Sequence, residues 1–449
     1  MSYGGGSLSD QCNETVPEDG GRRGWKGNEW LFVNPYLVVG VVGASLCFAW
    51  MFSVLLRPGY PGIDAFGPHS PQLFRIVFAV ALTGAYLLIA LLSNSVQRHR
   101  RPVLAVALAA ALASEALPSC AALGGAQPPL FIACGVCAGI ALGLLGSLWT
   151  EFLCAHLKQA VRKATATMFL LALVWYLGML MADAAFVGGI AVLMVVLSAA
   201  VYAALCAVYA PMDTMPMVDG RESDGRYAIT WRPSLLTVMG SLAEGFALYW
   251  LLDPSGNEEV NAYLVCLVSI LVCAVVLVDS VRRFVLRERV IRRLFLPVLA
   301  ACFLTVLFLP RQWLFVPCLL AYGFSMLPYL SAIFATCEHI VRDRLSPIRA
   351  FAKARIMASG GLSLGLAIGW LAFESQVFGD VNLQVWTFIV VMFFILVFAI
   401  LLPSQSFYPG DEMTPLGPVR IGPNGEIVAD EDFSALVDGS RAEAILLKK

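Results

Sequence analysis

Charged residues are scarce in this chain of 449 residues. Lys, Arg, Asp and Glu together make up 14% of it, whereas apolar residues make up 59%. Soluble domains contain about 25% charged and about 45–50% apolar residues. The formal net charge of −1 excludes nucleic acid as a bulk electrostatic partner. The composition therefore predicts a chain that is embedded in a lipid bilayer along most of its length.

Residues and motifs that carry catalysis are also missing. The chain has four histidines and lacks a P-loop, a dinucleotide fingerprint, an H-E-x-x-H sequence and a nucleophile elbow. Cys134 and Cys137 form a single C-x-x-C in an apolar run, where packing is the favoured role over metal or redox work. We expect no catalytic residue, no metal site, no cofactor and no enzymatic activity.

Long apolar runs dominate what is present. A membrane helix needs about 20 mostly apolar residues, and twelve stretches meet that length. We split one long run of the sequence at Gly188 and Gly189, because it is long enough to span twice. The predicted spans are 36–56, 73–94, 103–124, 130–153, 165–186, 187–209, 235–253, 263–283, 294–310, 314–340, 356–375 and 385–403.

The basic residues predict the orientation of these spans. Twenty Lys and Arg residues lie in five alternate loops, and three (Arg57, Arg75 and Arg311) lie on the other side. Lys and Arg favour the cytoplasmic side in short loops. We therefore expect a multi-pass protein of the cytoplasmic inner membrane with both termini in the cytoplasm.

The longest internal loop follows the sixth span and divides the chain six plus six. Such a division predicts two repeated halves with a binding site between them. A short echo supports repetition: Cys154-Ala155-His156 ends the fourth span, and Cys337-Glu338-His339 ends the tenth. The expected organisation is a disordered tail (1–33), a first half (34–209), a central cytoplasmic loop (210–234), a second half (235–403) and a cytoplasmic tail (404–449).

The last of these segments contains a turn signal. Val419-Arg420-Ile421 and Glu426-Ile427-Val428 are β-prone triplets that flank Gly422-Pro423-Asn424-Gly425. Two such triplets around an Asn-Gly turn predict a small β-hairpin.

Two carboxylates lie deep in predicted spans. Glu244 is in the middle of the seventh span and Glu115 is near the middle of the third, and no Lys or Arg lies at comparable depth. Ionisable groups inside a membrane are costly and are functional candidates by default. Either carboxylate could bind a proton, a cation or a donor group of a substrate. The alternative is a neutral glutamic acid that hydrogen-bonds to a facing helix.

Other polar and aromatic side chains are weaker candidates. Trp175, Tyr176 and Tyr322 lie deep enough to line a cavity, although packing is the favoured role. Charged groups at the span ends, such as Arg75 and Glu151, are expected to reach headgroups, water or a nearby opposite charge. For Glu151 the expected partner is Arg162 or Lys158.

Glycines recur at every fourth position in two spans. Gly135, Gly139 and Gly143 do so in the fourth span, and Gly361, Gly365 and Gly369 do so in the eleventh. A spacing of four places glycines on one face of a helix, where a neighbouring helix can approach closely. We expect both sets to be helix-packing surfaces.

The topology resembles the major facilitator superfamily. The signature of that family is G-x-x-x-D-R-x-G-R-R after the second span. The chain reads Ser93-Asn94-Ser95-Val96-Gln97-Arg98-His99-Arg100-Arg101 there, with the arginines of the signature but without its glycines and aspartate. The resemblance implies an all-α polytopic membrane protein of about twelve helices in a six-plus-six arrangement that moves a small solute.

The segment from Gly139 to Phe152, GIALGLLGSLWTEF, is similar to the fourth helix of another group. These are the membrane halves of LuxR-type regulators of gut actinobacteria, which carry a helix-turn-helix domain. The tail of this chain has no room for that domain, so the resemblance implies the membrane part alone, with no direct contact to nucleic acid.

Two functions follow from these observations. The first is a secondary transporter of an unknown small-molecule ligand, with proton coupling through Glu244. The second is a transporter-fold sensor that binds a ligand and signals through its cytoplasmic loops or tail to a cytoplasmic protein partner.

Overall fold

A computed structural model describes most of the membrane domain and part of the C-terminal tail. The described residues are 35–57, 70–124, 128–156, 160–208, 231–252, 258–282, 288–306, 308–309, 313–342, 345–373, 389–395, 397, 420–421 and 427–428.

Helices make up nearly all of the described chain. They are α1 Pro35–Leu56, α2 Ser70–Leu91, α3 Ser93–Arg98, α4 Arg100–Gly124, α5 Pro128–His156, α6 Val161–Leu180, α7 Ala184–Val208, α8 Trp231–Leu251, α9 Glu258–Arg282, α10 Glu288–Val306, α11 Phe315–Arg342 and α12 Pro347–Phe373. Residues 389–395 and 397 are helical as well. Strands β1 (Arg420–Ile421) and β2 (Ile427–Val428) pair antiparallel, within the segment where the sequence predicts a hairpin.

The chain is a multi-pass membrane protein. Each of the twelve predicted spans overlaps at least one described helix, and eight of the described helices are long and apolar enough to cross a bilayer. Large apolar side chains are exposed on the outside of the bundle, among them Leu88, Phe186 and Leu271. Such a surface suits hydrocarbon rather than water. The short helix α3 is the described helix that does not match a span.

Two predicted boundaries are wrong. The break between the fifth and sixth spans lies at residues 181–183, where the N–H of Phe186 donates to the carbonyl of Asp183, 2.9 Å away. Gly188 and Gly189 instead lie inside α7, because a glycine pair in a membrane helix does not have to end it. The eleventh span begins at Pro347 rather than at 356, and Pro is well suited to the first turn of a helix.

The helices pack as two halves around one apolar core. The first half comprises α1–α7, and the second begins at α8. Between the halves, α2 packs on α12 and α6 packs on α9. These helices are the second, eleventh, fifth and eighth spans. If the two halves are repeats of six spans, the second span is equivalent to the eighth and the fifth span to the eleventh. The contact between α2 and α12 is then equivalent to the contact between α6 and α9.

The two ends of the bundle differ in charge. We use the name basic face for the end that carries Arg98, Arg100 and Arg101 on and beside α3. The opposite face contains the C-terminal ends of α1 and α8, because the helices alternate in direction.

Candidate functional site

A small cavity lies between the two halves at the centre of the bundle. Its volume is about 40 Å³, which is room for about three water molecules. Solute sites usually measure about 300–1,000 Å³, so the centre is nearly closed in this conformation. The lining comes from six helices and includes Met51, Phe52, Leu55, Phe78, Leu82, Phe169, Ser241, Glu244, Tyr322, Met326, Tyr329, Ala358, Ser359 and Leu362.

Glu244 is the one carboxylate in this lining. It lies on α8 and is 8% exposed. No hydrogen bond or ion pair joins it to another described residue, so its oxygens are available to a proton or a solute. The close approach of α12 to α8 fixes this position, because the following residue, Gly245, contacts the backbone of Leu362 and Leu366 where a Cβ would be.

Tyr322 shares the cavity with Glu244. Its ring is buried, and its hydroxyl lies 2.9 Å from the hydroxyl of Ser269 on α9. The structure therefore brings together two of the five predicted binding residues.

The other two aromatic candidates lie elsewhere. Tyr176 is fully buried, with its ring centroid 6.4 Å from that of Phe52, and it is not part of the cavity lining. Trp175 is 43% exposed on the outside of α6. The prediction that Trp175 lines a cavity is wrong in this conformation, because adjacent residues of a helix point about 100° apart and Tyr176 takes the inward direction.

Glu115 does not face the cavity. Its Oε1 accepts a hydrogen bond from the indole Nε1 of Trp50, 2.9 Å away. The Nη1 of Arg57 lies 3.9 Å from its Oε2. The Trp50 contact fits the alternative expectation for Glu115, a side chain that hydrogen-bonds to a facing helix. The packing of α4 beside α1 also brings Arg57, from the end of one span, beside this carboxyl group.

Sequence reasoning misses Arg355, which it places in a loop. The residue lies on α12 and is 7% exposed. Its Nη2 donates to the hydroxyl of Tyr329, and its Cζ lies 4.5 Å from the centroid of that ring. A second ring, Phe351, is 5.9 Å away. Since Tyr329 lines the cavity, Arg355 places a charge directly behind the lining residues. Pro347, with which α12 begins, is the sequence signal that could have placed Arg355 in a helix.

Arg75 is a second buried arginine, 1% exposed, and not the headgroup-facing side chain that the sequence suggested. It donates to the carbonyls of Leu55 (3.0 Å) and Arg57 (2.9 Å) at the end of α1, and to that of Leu252 (3.4 Å) just beyond α8. Gln72, one turn earlier on α2, also donates to Leu252. A cation here satisfies carbonyls that a helix end leaves without partners. Arg75 and Gln72 thus join the halves at the face opposite the basic face.

Polar contacts also hold the basic face together. Arg100 at the start of α4 binds Glu151 near the end of α5 through two hydrogen bonds of 3.0 and 2.7 Å. Arg162 does not make this contact, so that predicted partner is wrong, and Lys158 lies outside the described residues. The start of the neighbouring antiparallel helix α4 supplies the partner instead. Arg162 instead lies 3.9 Å from Glu338 of α11, on the other half.

The echoed cysteines meet at this face. Cys154 near the end of α5 and Cys337 near the end of α11 are both buried free thiols. Their side chains lie close enough to interact across the two halves. Equivalent positions of a repeat approach each other when they lie near the axis that relates the halves, and the pair marks that place.

Both glycine series lie in tight helix contacts. A Cβ at Gly139 would be 2.7 Å from the Leu82 nitrogen of α2, and Gly135 and Gly143 face the same helix. Gly361, Gly365 and Gly369 face α8, where Gly365 contacts the carbonyl of Leu242. These series set the position of α5 on α2 and of α12 on α8.

Within the described part of the chain, no cluster of three or more His, Cys, Asp or Glu side chains could hold a metal ion. The cavity contains a carboxylate, hydroxyls and apolar groups, which suit a small solute or a proton.

Comparison with known proteins shows the fold. The sequence matches no protein-family profile and no curated protein. Among solved structures, the chain is similar to the human organic anion transporter MFSD10 (TM-score 0.56, 16% identity, covering 82% of this chain and 99% of that one). It is also similar to a bacterial homologue of the iron transporter ferroportin in an outward-facing state (0.53, 14%, 81% and 97%). A mutant of the nucleoside transporter NupG is a third (0.51, 12%, 82% and 98%). The chain therefore shares the fold of these three proteins.

Proposed function

We propose that the chain is a secondary transporter of a small solute that is coupled to protons through Glu244. One observation carries the proposal: the cavity is formed by both halves, and Glu244 is its unpaired carboxylate. In a fold that alternates access by moving one half against the other, a group at that place can exchange a proton with each side in turn. The similar structures are named for an organic anion, iron and nucleosides, and this variety does not select a solute for the chain.

The basic face is the cytoplasmic face in this proposal, and both tails lie in the cytoplasm. The bias of Lys and Arg to that face supports the orientation. An inner-membrane location fits the same bias.

The alternative is a ligand sensor that resembles the membrane part of a LuxR-type regulator. Two features favour it: the missing glycines and aspartate after the second span, and the additional tail with its small hairpin. A sensor would bind a ligand in the same cavity without moving it across the membrane.

Flux into proteoliposomes under an imposed proton gradient tests the proposal. Solutes that raise the melting temperature of the purified protein, as a bound ligand does by mass action, are selected first. We expect gradient-driven uptake by the wild type and none by Glu244→Gln. Glu115→Gln is the matched control, since it alters a buried carboxylate outside the cavity and should leave uptake intact.

Undiminished gradient-driven uptake by Glu244→Gln would remove Glu244 from the coupling. A solute that binds but never crosses would favour the sensor. Deletion of residues 410–449 should then abolish a cellular response while ligand binding persists.

A further inference from the structure

The hydrogen-bonding capacity left open in the cavity is small. The hydroxyl of Tyr322 pairs with Ser269, and the hydroxyl of Tyr329 accepts from Arg355. Ser359 donates to a carbonyl of its own helix, 2.8 Å away. A solute with many hydroxyl groups would leave most of them unsatisfied here, at a cost for each buried group.

Two polar groups remain. They are the hydroxyl of Ser241, which has no partner among the described residues, and the carboxylate of Glu244. Both belong to α8 and are three residues apart, so they lie on the same face of that helix. They form one acceptor site on one wall of the cavity.

The charge of the lining has one sign. Glu244 contributes a carboxylate, and no Lys, Arg or His belongs to the lining. The nearby Arg355 acts on Glu244 through space, but its guanidinium is stacked on the Tyr329 ring, hydrogen-bonds to the Tyr329 hydroxyl and lies near Tyr86. A buried charge is tolerated when an opposite charge or a proton compensates it. An anionic solute would be repelled by ionised Glu244.

The remaining walls are apolar and deformable. Met51 and Met326 contribute flexible thioether side chains, and Phe52, Phe78 and Phe169 contribute aromatic rings. Methionine adapts to irregular shapes, and aromatic faces attract cations. Such walls accept a bulky apolar body, and they can move apart to admit one.

We propose that the solute is an amphiphilic organic cation, with one positive charge held by Glu244 and an apolar body held by the methionines and phenylalanines. This inference rests on the proposed function and adds its substrate class. Binding is an exchange: the carboxylic acid of Glu244 releases its proton to solvent, and the carboxylate forms an ion pair with the cation. One proton leaves for each cation that binds, so net charge in the site is unchanged.

A pair of probes of equal shape and opposite charge tests the inference. Tetraphenylphosphonium and tetraphenylborate are titrated separately into the purified full-length protein in nanodiscs, and binding and proton release are measured in weakly buffered solution. Glu244→Gln and Glu244→Asp are compared with Glu338→Gln, which removes a half-exposed carboxylate outside the cavity.

We expect tetraphenylphosphonium to bind the wild type and Glu338→Gln with release of about one proton. Binding to Glu244→Gln should be about 10- to 100-fold weaker, because the variant loses the charge attraction to the cation, and it should occur without proton release. Glu244→Asp should restore part of the affinity if it folds like the wild type. Tetraphenylborate should not bind specifically.

Equal binding of both probes, absence of tetraphenylphosphonium binding, or unaltered binding to Glu244→Gln would overturn the substrate class. Flux in proteoliposomes separates this result from the proposed function. If tetraphenylphosphonium binds through Glu244 but is not moved, transport fails and the cation site stands. If a neutral or anionic solute is moved in a Glu244-dependent manner, transport stands and the cation class fails.

Discussion

Replacement of Gly139 by alanine tests the packing of α5 on α2. A Cβ there would lie 2.7 Å from the Leu82 nitrogen, 2.7 Å from the Ala81 Cβ and 2.8 Å from the Phe78 carbonyl oxygen. The shortest of these distances is 0.7 Å below the 3.4 Å at which ordinary contact begins. Two of the three atoms belong to the backbone, so a side-chain rotation cannot relieve the overlap, and the helices must separate.

Overpacking of this kind costs about 1–3 kcal/mol. Gly178→Ala is the matched control, since a Cβ at Gly178 meets nothing within 4 Å. The control should be neutral or more stable by up to about 1 kcal/mol, because alanine favours a helix over glycine. The two variants should therefore differ by about 1–4 kcal/mol.

Thermal unfolding of both variants in the same detergent measures this difference. We expect a lower melting temperature for Gly139→Ala than for the wild type, and an equal or higher one for Gly178→Ala. If Gly139→Ala unfolds at the temperature of the wild type, the two helices do not approach as closely as the structure has them, and the packing argument fails.

Two further predictions concern the contacts between the halves. Arg75→Met removes the side-chain donor to the carbonyls of Leu55 and Arg57 and leaves Gln72 alone at the carbonyl of Leu252. It should therefore lower the melting temperature and increase labelling of a cysteine introduced at the cavity, whereas the exposed Arg101→Met should do neither. Unchanged labelling would contradict a role of Arg75 in holding the halves together. Copper phenanthroline should join Cys154 to Cys337, so that after cleavage at a protease site inserted between residues 210 and 230 the halves stay linked without reductant and separate in Cys337→Ser. Halves that separate in the unreduced wild type would refute that contact.

The helical spans were largely predictable, because the length of an apolar run identifies a membrane span. The depth of Glu244 was predictable for a similar reason, because a carboxylate in the middle of an apolar run can be recognised from the sequence alone. The all-α fold of about twelve helices in two halves is confirmed.

The partners of the buried charges were not predictable. Arg355 looked like part of a basic loop because its charge shortens the apolar run, and it is buried only because Tyr86 and Tyr329 from other helices surround it. The same holds for Glu115, whose partners Trp50 and Arg57 precede it by more than 50 residues. Whether Trp175 faces the cavity depends on the direction of its side chain around the helix axis. The number of apolar residues in a span does not give that direction.

The hydrogen bonds of Arg75 are divided unequally between the two halves, so separation of the halves would break some of them and keep others. The carbonyls of Leu55 and Arg57, to which it donates, belong to the first half, as Arg75 does, whereas that of Leu252 belongs to the second. If the second half moves away, the guanidinium keeps Leu55 and Arg57 as partners and is not left bare in an apolar medium. Separation at this end therefore costs Arg75 its Leu252 contact, while the retained bonds keep the arginine in the orientation that captures the same carbonyl on return.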